Sequence, residues 1–214
     1  MNDNINTREY WDERFGSGDW DDKRGRAHSR AYARTFIDHW HIPAGFDGTV
    51  LDFGCALGDA IPLYRAALPG ARFVGVDHSG DAVAKCRARY GEVAEFAQGD
   101  HTNLPPADII VTSHTMEHVS DDQDVVRALR ERCRVLYVVV PYREHPLKKE
   151  HLRAYDEGTY DAIGPDARAV YPAFPFWTWE IFRDHRLKNL VRPLLGRRRV
   201  PVPMAIMYRF GSHD

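Results

Sequence analysis

Residues 50–60 read VLDFGCALGDA, and this stretch decides the fold. The apolar run that ends at Phe53 predicts a buried strand, and Gly54 and Gly58 let the chain turn tightly into a helix. The first turn of such a helix directs free N–H groups toward the end of the strand. The stretch therefore predicts a strand, a ligand-binding turn and a helix. The alternative is that the glycines only allow the chain to turn and bind no ligand.

Strand and helix patterns alternate on both sides of this stretch. Strands are predicted at 49–53, 72–77, 93–98, 108–112 and 134–140, and helices at 26–41, 57–68, 79–90, 121–132 and 178–195. The runs FVGV, DIIV and VLYVVV are apolar throughout, as expected for parallel strands with helices on both faces. The sequence therefore predicts an α/β, doubly wound sheet, and MAIMYRF near residue 207 predicts a final antiparallel strand.

Charge and cysteine content exclude several classes of protein. Lys plus Arg number 29 and Asp plus Glu number 31, so no overall field attracts a polyanion, and nucleic acid is not expected as an obligate partner. Three scattered cysteines, Cys55, Cys86 and Cys133, form no CxxC pair and fit a reducing compartment. The chain has no signal-like start and no apolar run of ~20 residues. We therefore expect a cytoplasmic protein without a membrane span.

Acidic side chains stand at the ends of the predicted strands. Asp52 ends the first strand, Asp77 follows Gly58 by nineteen residues, and Asp100 closes the QGD after the third strand. A carboxylate at the second position can accept hydrogen bonds from both hydroxyls of a ribose. Asp100 could accept one from the amine of an adenine, with His101 beside the ring. Each acid alone is more often a cap or turn residue.

In order, LDFGCALG, GVDHS, QGD and DIIVTSHTMEHV resemble the motifs of class I S-adenosylmethionine-dependent methyltransferases over about residues 48–141. The resemblance implies a Rossmann-like sheet of seven strands, mostly parallel with the last one reversed, and S-adenosylmethionine as the cofactor. A nicotinamide dinucleotide is the competing ligand. Its pyrophosphate requires a GxGxxG turn, and Asp52 inside the present turn would repel phosphate.

By position, the resemblance assigns the cofactor contacts. Asp52 would lie near the methionine amino group, Asp77 would hold the ribose and Asp100 the adenine amine. The complete predicted set is Asp52, Gly54, Cys55, Ala56, Gly58, Asp77, His78, Asp100, His101 and Ser113. Ala56 departs from the family, which more often has glycine there, and its methyl group predicts a slightly tighter fit.

All 214 residues are expected to form one domain. Residues 1–45 would supply an N-terminal lid and helix, 48–141 the cofactor-binding core, and 142–214 a cover over the acceptor side with the last strand. YWDERF at 10–15 resembles the opening segment of related enzymes, where it folds back over the cofactor, and simple packing of its aromatic residues on the outer helix is the alternative. The segment from Arg183 to Arg199 carries seven basic residues. It predicts contact with an anionic surface or acceptor, with a merely solvated face as the alternative.

Histidines after the fourth and fifth strands are the candidates for catalysis. His114 follows the fourth strand, where an imidazole suits removal of a proton from a hydroxyl group. His118 and His151 complete the predicted catalytic set, and Arg153 would anchor an anionic acceptor. Alternatively, His114 only packs on the adenosine, Glu117 and His118 order the loop, and the later residues belong to an exposed charged helix.

The H-x-x-E-H group at 114–118 could also bind a metal, since histidines four apart share a helix face. Ubiquinone-pathway O-methyltransferases and small-RNA 2′-O-methyltransferases are similar here and carry E-x-x-E-H as magnesium ligands. His114 replaces the first carboxylate, and imidazole suits magnesium poorly, so we expect no metal.

These observations predict methyl transfer from S-adenosylmethionine to a hydroxyl of a small-molecule or glycan-type acceptor, with a histidine base; an amine is the alternative acceptor group. Two other functions compete with this one. One is a non-catalytic scaffold that binds a nucleoside, and the other is an RNA methyltransferase, which would need a more basic surface. The oligomeric state is not predicted.

Overall fold

Seven strands lie side by side in one sheet of the computed structural model, which describes residues 4–174, 187–199 and 201–211. The strands are β1 Thr49–Phe53, β2 Arg72–Asp77, β3 Glu95–Gln98, β4 Ile109–Ser113, β5 Val135–Pro141, β6 Ala167–Pro172 and β7 Met204–Gly211. Their order is β3-β2-β1-β4-β5-β7-β6. β7 runs antiparallel to both of its neighbours, and the pairs from β3 to β5 are all parallel. The predicted α/β sheet with a reversed last strand is confirmed.

Helices cover both faces of the sheet. They are α1 Arg8–Gly16, α2 Asp19–Asp22, α3 Gly25–Ile37, α4 Ile61–Ala67, α5 Gly80–Tyr90, α6 Asp122–Arg130 and α7 Lys188–Val191, with 3-10 turns at Met116–His118 and Arg192–Leu195. On one face, Phe36 of α3 packs in a core cluster with Val50 of β1. On the other, Leu129 of α6 packs with Leu51, the next residue of β1. Successive strand residues point to opposite faces of the sheet, so a strand such as β1 contributes side chains to both core clusters.

Several observed elements differ from the predicted ones. The helix predicted from residue 57 begins only at Ile61, because Gly54 and Cys55 both donate backbone hydrogen bonds to Val76 of β2 and hold the preceding turn in the crevice. β3 starts at Glu95, after a turn that closes α5. β6 carries no apolar run, and its alternating exposure marks an edge strand that the sequence pattern did not reveal.

The segment after β5 is anchored on α6. Asp122, at the start of α6, is 3% exposed, and its Oδ2 accepts hydrogen bonds from Tyr155 (3.1 Å) and Tyr160 (2.7 Å). Arg153 pairs with the other oxygen of the same carboxylate. The expectation that Arg153 anchors an acceptor is therefore wrong, because its guanidinium group neutralises a buried carboxylate.

The predicted basic segment is described only in part, because residues 175–186 lie outside the described ranges. Arg183, Arg186 and the first half of the helix predicted at 178–195 fall there. From residue 187 onward, α7 and a 3-10 turn carry exposed leucines, among them Leu190 and Leu194. Among the described residues, no helix combines the length and the apolar character that crossing a membrane requires.

Candidate functional site

Two cavities that share lining residues lie at the carboxyl ends of the central strands. The first, of about 490 Å³, is lined by Asp77 and His78 after β2 and by Asp100 and His101 after β3. The second, of about 270 Å³, is lined by predicted residues from β1, β4 and the segment beyond β5, namely Asp52, Cys55, Ser113 and His151. Gly54, Ala56, His114 and His118 border both cavities. The fold thus gathers nearly all of the predicted site residues in one crevice.

The glycine-containing turn after β1 adopts a left-handed backbone at three positions. The φ angles are +75° at Gly54, +50° at Ala56 and +74° at Gly58. Glycine takes up this region freely and alanine does not, which gives a physical reason for the family's preference for glycine at position 56. Gly58 lines neither cavity. A methyl group added to it would meet Phe96, Cys86 and Tyr90 at 3.1–3.2 Å, so this glycine allows close packing of the helix layer.

Asp77 ties the turn to the end of β2. Its Oδ2 accepts a hydrogen bond from the Ala56 N–H at 2.8 Å, and its Oδ1 accepts one from the Ser79 N–H at 2.9 Å. Burial raises the pKa of this carboxyl, and the two N–H groups act in the opposite direction. Each oxygen keeps a second lone pair, and the side chain faces the first cavity. The residue therefore suits a pair of ribose hydroxyls.

Asp52 is a buried carboxylate that has no cationic partner among the described residues. It is 5% exposed, and none of the side-chain hydrogen bonds within the described ranges involves it. Burial, and then the negative charge of Asp77, raise its pKa to about 7. A buried carboxylate is costly unless a positive group accompanies it. The second cavity thus fits a ligand that carries a cation, as the ammonium and sulfonium groups of S-adenosylmethionine do, and the buried, unpartnered hydroxyl of Ser113 lies in the same wall.

Asp100 is exposed at the rim of the first cavity. Its Oδ1 accepts hydrogen bonds from the Thr102 hydroxyl (2.6 Å) and the Thr102 N–H (2.8 Å), which lower the pKa of the carboxyl. The adenine contacts of Asp100 and His101 stay predictions.

His114 stands where the two cavities meet. Its backbone is left-handed, with φ of +55°, and its N–H donates to Val139 of β5 at 2.8 Å. The imidazole stacks on Tyr32, with ring centroids 3.7 Å apart, and its Nδ1 lies 3.4 Å from Oε1 of Glu117. Nε2 is buried and has no hydrogen-bond partner among the described residues. Nε2 therefore belongs to an imidazole ring that Tyr32 and Glu117 hold in place.

Next to His114 lies a cluster of three side chains, those of Glu117, His118 and His151. Residues 116–118 form a single 3-10 turn, so the expectation that His114 and His118 share an α-helical face is wrong. His151 instead approaches His118, with ring centroids 5.0 Å apart. Glu117 is 1% exposed. Burial acts to raise its pKa, but hydrogen bonding to His114 and the nearby histidines lower it to about 2.

α1 lies across the crevice. Trp11 and Phe15 are buried and line the first cavity. Tyr10 and Arg14 both bond to the carboxylate of Glu150, at 2.9 Å and 3.1 Å. The predicted lid segment thus covers the site, while opening and closing of this helix stay predictions.

Two residues that line the second cavity, Tyr32 and Glu150, were not predicted as site residues, and neither was Glu144, which contacts His151. Glu144 and Glu150 looked like surface charges in REHPLKKEH, where no periodicity separates them from Lys148 and its neighbours. Tyr32 lies among the apolar positions of the helix predicted at 26–41, and this pattern indicates a core residue. Only the fold brings Tyr32 and Glu150 to the second cavity and Glu144 into contact with His151.

Comparison with known proteins agrees with this geometry. A family model described as a methyltransferase domain matches residues 50–137. The chain is 28% identical over 171 residues to a trans-aconitate 2-methyltransferase of Azoarcus sp. (strain BH72), an alignment that covers 77% of the chain and 64% of that relative.

Two solved structures share the fold at low sequence identity. One is a chain from the complex that contains the Haloferax volcanii Trm112 methyltransferase activator, with a TM-score of 0.70, 17% identity, and coverage of 95% of this chain and 98% of that one. The other is the plantazolicin methyltransferase BpumL in complex with SAH, with a TM-score of 0.59, 15% identity, and coverage of 97% and 96%. The chain is therefore similar to methyltransferase domains over residues 50–137, and it shares its fold with these two solved structures.

Proposed function

We propose that the protein transfers a methyl group from S-adenosylmethionine to a hydroxyl oxygen of a small-molecule or glycan-type acceptor. When bound, the cofactor supplies a methyl group on a positively charged sulfur, which keeps the electron pair of the broken C–S bond. Asp77 would accept hydrogen bonds from the ribose, and Asp100 with His101 would border the adenine. Asp52 would neutralise the positive charge in the second cavity.

One observation carries the choice of an oxygen acceptor with a histidine base. Nε2 of His114 is buried and has no partner within the described part of the chain, and His114 as a residue borders both cavities. The Glu117 carboxylate can only accept a hydrogen bond, so it would keep the proton of His114 on Nδ1 and leave a lone pair on Nε2. His114 would take the hydroxyl proton as the oxygen forms its bond to the methyl carbon. His118 and His151 would position the acceptor.

The size and charge of the second cavity favour a small acceptor. Its volume of about 270 Å³ suits a metabolite or a single sugar unit, and Arg14 and Lys148 line it. The curated relative is named for methylation of trans-aconitate, a small acid. A net charge of −2 gives no general attraction for RNA. An anionic surface or acceptor would be met by the exposed basic run Arg197, Arg198 and Arg199. The three cysteines are free, which supports a cytoplasmic location.

The test is incubation with methyl-labelled cofactor and pools of metabolites, glycans and RNA, followed by mass spectrometry. We expect label on the oxygen of a small molecule or glycan. His114→Asn is the informative variant because asparagine tolerates the left-handed backbone at this position. We expect kcat to fall by a factor of ~10²–10⁴ while cofactor affinity stays within about threefold.

His41→Ala is the matched control, since His41 is exposed and lies outside both cavities. Full turnover by His114→Asn would remove His114 as the base. Cofactor binding without labelling of any pool would favour the scaffold function, and labelled RNA alone would favour RNA methylation.

A further inference from the structure

Three side chains in the second cavity have the composition of a metal site. Glu117, His118 and His151 each offer one nitrogen or oxygen atom, and these atoms lie within 4.8 Å of one another. All three residues line the second cavity, and the His151 side chain is only 6% exposed. We propose that these residues bind a divalent transition-metal ion, with Zn²⁺ as the representative ion.

Neighbouring groups hold both imidazole rings in the orientation that a metal requires. Nδ1 of His118 lies 3.0 Å from the backbone carbonyl oxygen of Glu150, and Nδ1 of His151 contacts the Glu144 carboxylate. Both partners only accept hydrogen bonds, so each Nδ1 carries the proton and each Nε2 keeps its lone pair for an ion. Metal-binding histidines in proteins are oriented in this way by a carboxylate or a backbone carbonyl.

Glu117 provides an independent observation. Its Oε1 lies 3.4 Å from Nδ1 of His114, but its Oε2 is buried and lacks a hydrogen-bond partner among the residues that the structure describes. An unpartnered, buried carboxylate oxygen costs free energy that a bound cation would offset. The orphaned oxygen thus belongs to the same residue that completes the cluster of ligands.

The ligand set indicates which ions would bind. Two imidazoles and one carboxylate suit Zn²⁺, Co²⁺ or Fe²⁺, whereas Mg²⁺ prefers a shell of oxygen atoms. The expectation of no metal rested on His114 as the first ligand of the H-x-x-E-H group. In the structure His151, which is 33 residues beyond His118 in the chain, takes its place.

Three protein ligands leave at least one coordination position open, as in catalytic zinc sites. The cluster lies beside His114 in the wall of the second cavity, so an acceptor hydroxyl on the ion would become more acidic next to the proposed base. This role rests on the proposed function, whereas binding of the ion does not.

The experiment measures Co²⁺ binding to the full chain after treatment with a chelator, in the absence of cofactor and acceptor. Calorimetry and the visible absorption of the ion report binding. We expect one equivalent to bind to the parent, with affinity at least ~100-fold weaker in His118→Ala and in His151→Ala. Glu144→Gln should weaken binding by about 10-fold or more, because it removes the negative partner of His151. The control His41→Ala should bind as the parent does.

Circular dichroism shows whether each variant is folded. If His151→Ala does not fold, Glu144→Gln carries the test. Co²⁺ binding to the parent that is no tighter than binding to the His118→Ala and Glu144→Gln variants would overturn the proposal. Methyl transfer without Co²⁺ binding would count against the metal site alone, and Co²⁺ binding without methyl transfer would count against the proposed function alone.

Discussion

The substitution Asp52→Asn should stabilise the free protein while weakening cofactor binding. Asp52 is buried and lacks a cationic partner among the described residues, and burial raises its pKa to about 7. An ordinary aspartate has a pKa of about 3.9, and each tenfold change in proton affinity is worth about 1.4 kcal/mol. Keeping Asp52 ionised in the folded protein therefore costs at most about 4 kcal/mol at pH 8. Asparagine has a similar shape and carries no charge to desolvate.

The sign of the pH dependence follows from the raised pKa. Between about pH 4 and pH 7 the folded state binds the proton of Asp52 more tightly than the unfolded state does. The contribution of Asp52 to stability therefore falls as the pH rises through this window, and it is constant above it. The advantage of Asp52→Asn should grow by roughly 2.6 kcal/mol between pH 5 and pH 8, which corresponds to roughly 5–10 °C in Tm for a chain of this size.

Thermal unfolding at pH 5 and pH 8 measures this difference, with Glu92→Gln, an exposed carboxylate outside both cavities, as the control. Calorimetry at pH 8 with S-adenosylhomocysteine, which carries the same amino group, should give roughly 30-fold weaker binding to Asp52→Asn, or about 2 kcal/mol. Equal gains in Tm at the two pH values would refute the assignment of a raised pKa. Unchanged affinity would refute contact with the ammonium group.

Three further outcomes are expected. Arg153→Gln should lower the free energy of unfolding by about 2 kcal/mol in urea titrations, less than for a fully buried pair because the Arg153 side chain is 29% exposed, and should leave cofactor affinity unchanged. Trp11→Ala removes a wall of both cavities and should weaken S-adenosylhomocysteine about 10-fold by calorimetry. A hydrogen bond with Cys86, and then burial, raise the pKa of the Cys55 thiol, and burial raises the pKa of Cys133 to about 12. A thiol reagent at pH 8 should therefore react with both residues slowly until urea unfolds the chain.

Local sequence patterns were sufficient for the central sheet and for the residues at the strand ends. Apolar runs such as that of β1 can be buried only between helix layers, and β1 and β2 begin and end where the pattern predicted. Since carboxyl ends of parallel strands meet at one edge, Asp52 and Asp77 had to lie close together. The sequence by itself therefore determined the fold class and the residues at the strand ends that line the crevice.

The acceptor side was decided by tertiary structure, because its contacts join residues far apart in the chain. No local periodicity predicts that Arg153 pairs with Asp122 or that Glu144 orients His151 toward Glu117. β6 was missed for a similar reason, since an edge strand needs no apolar run and is held by its register with β7. These positions follow from how the segment beyond β5 packs against α1 and α6, and packing depends on the whole chain.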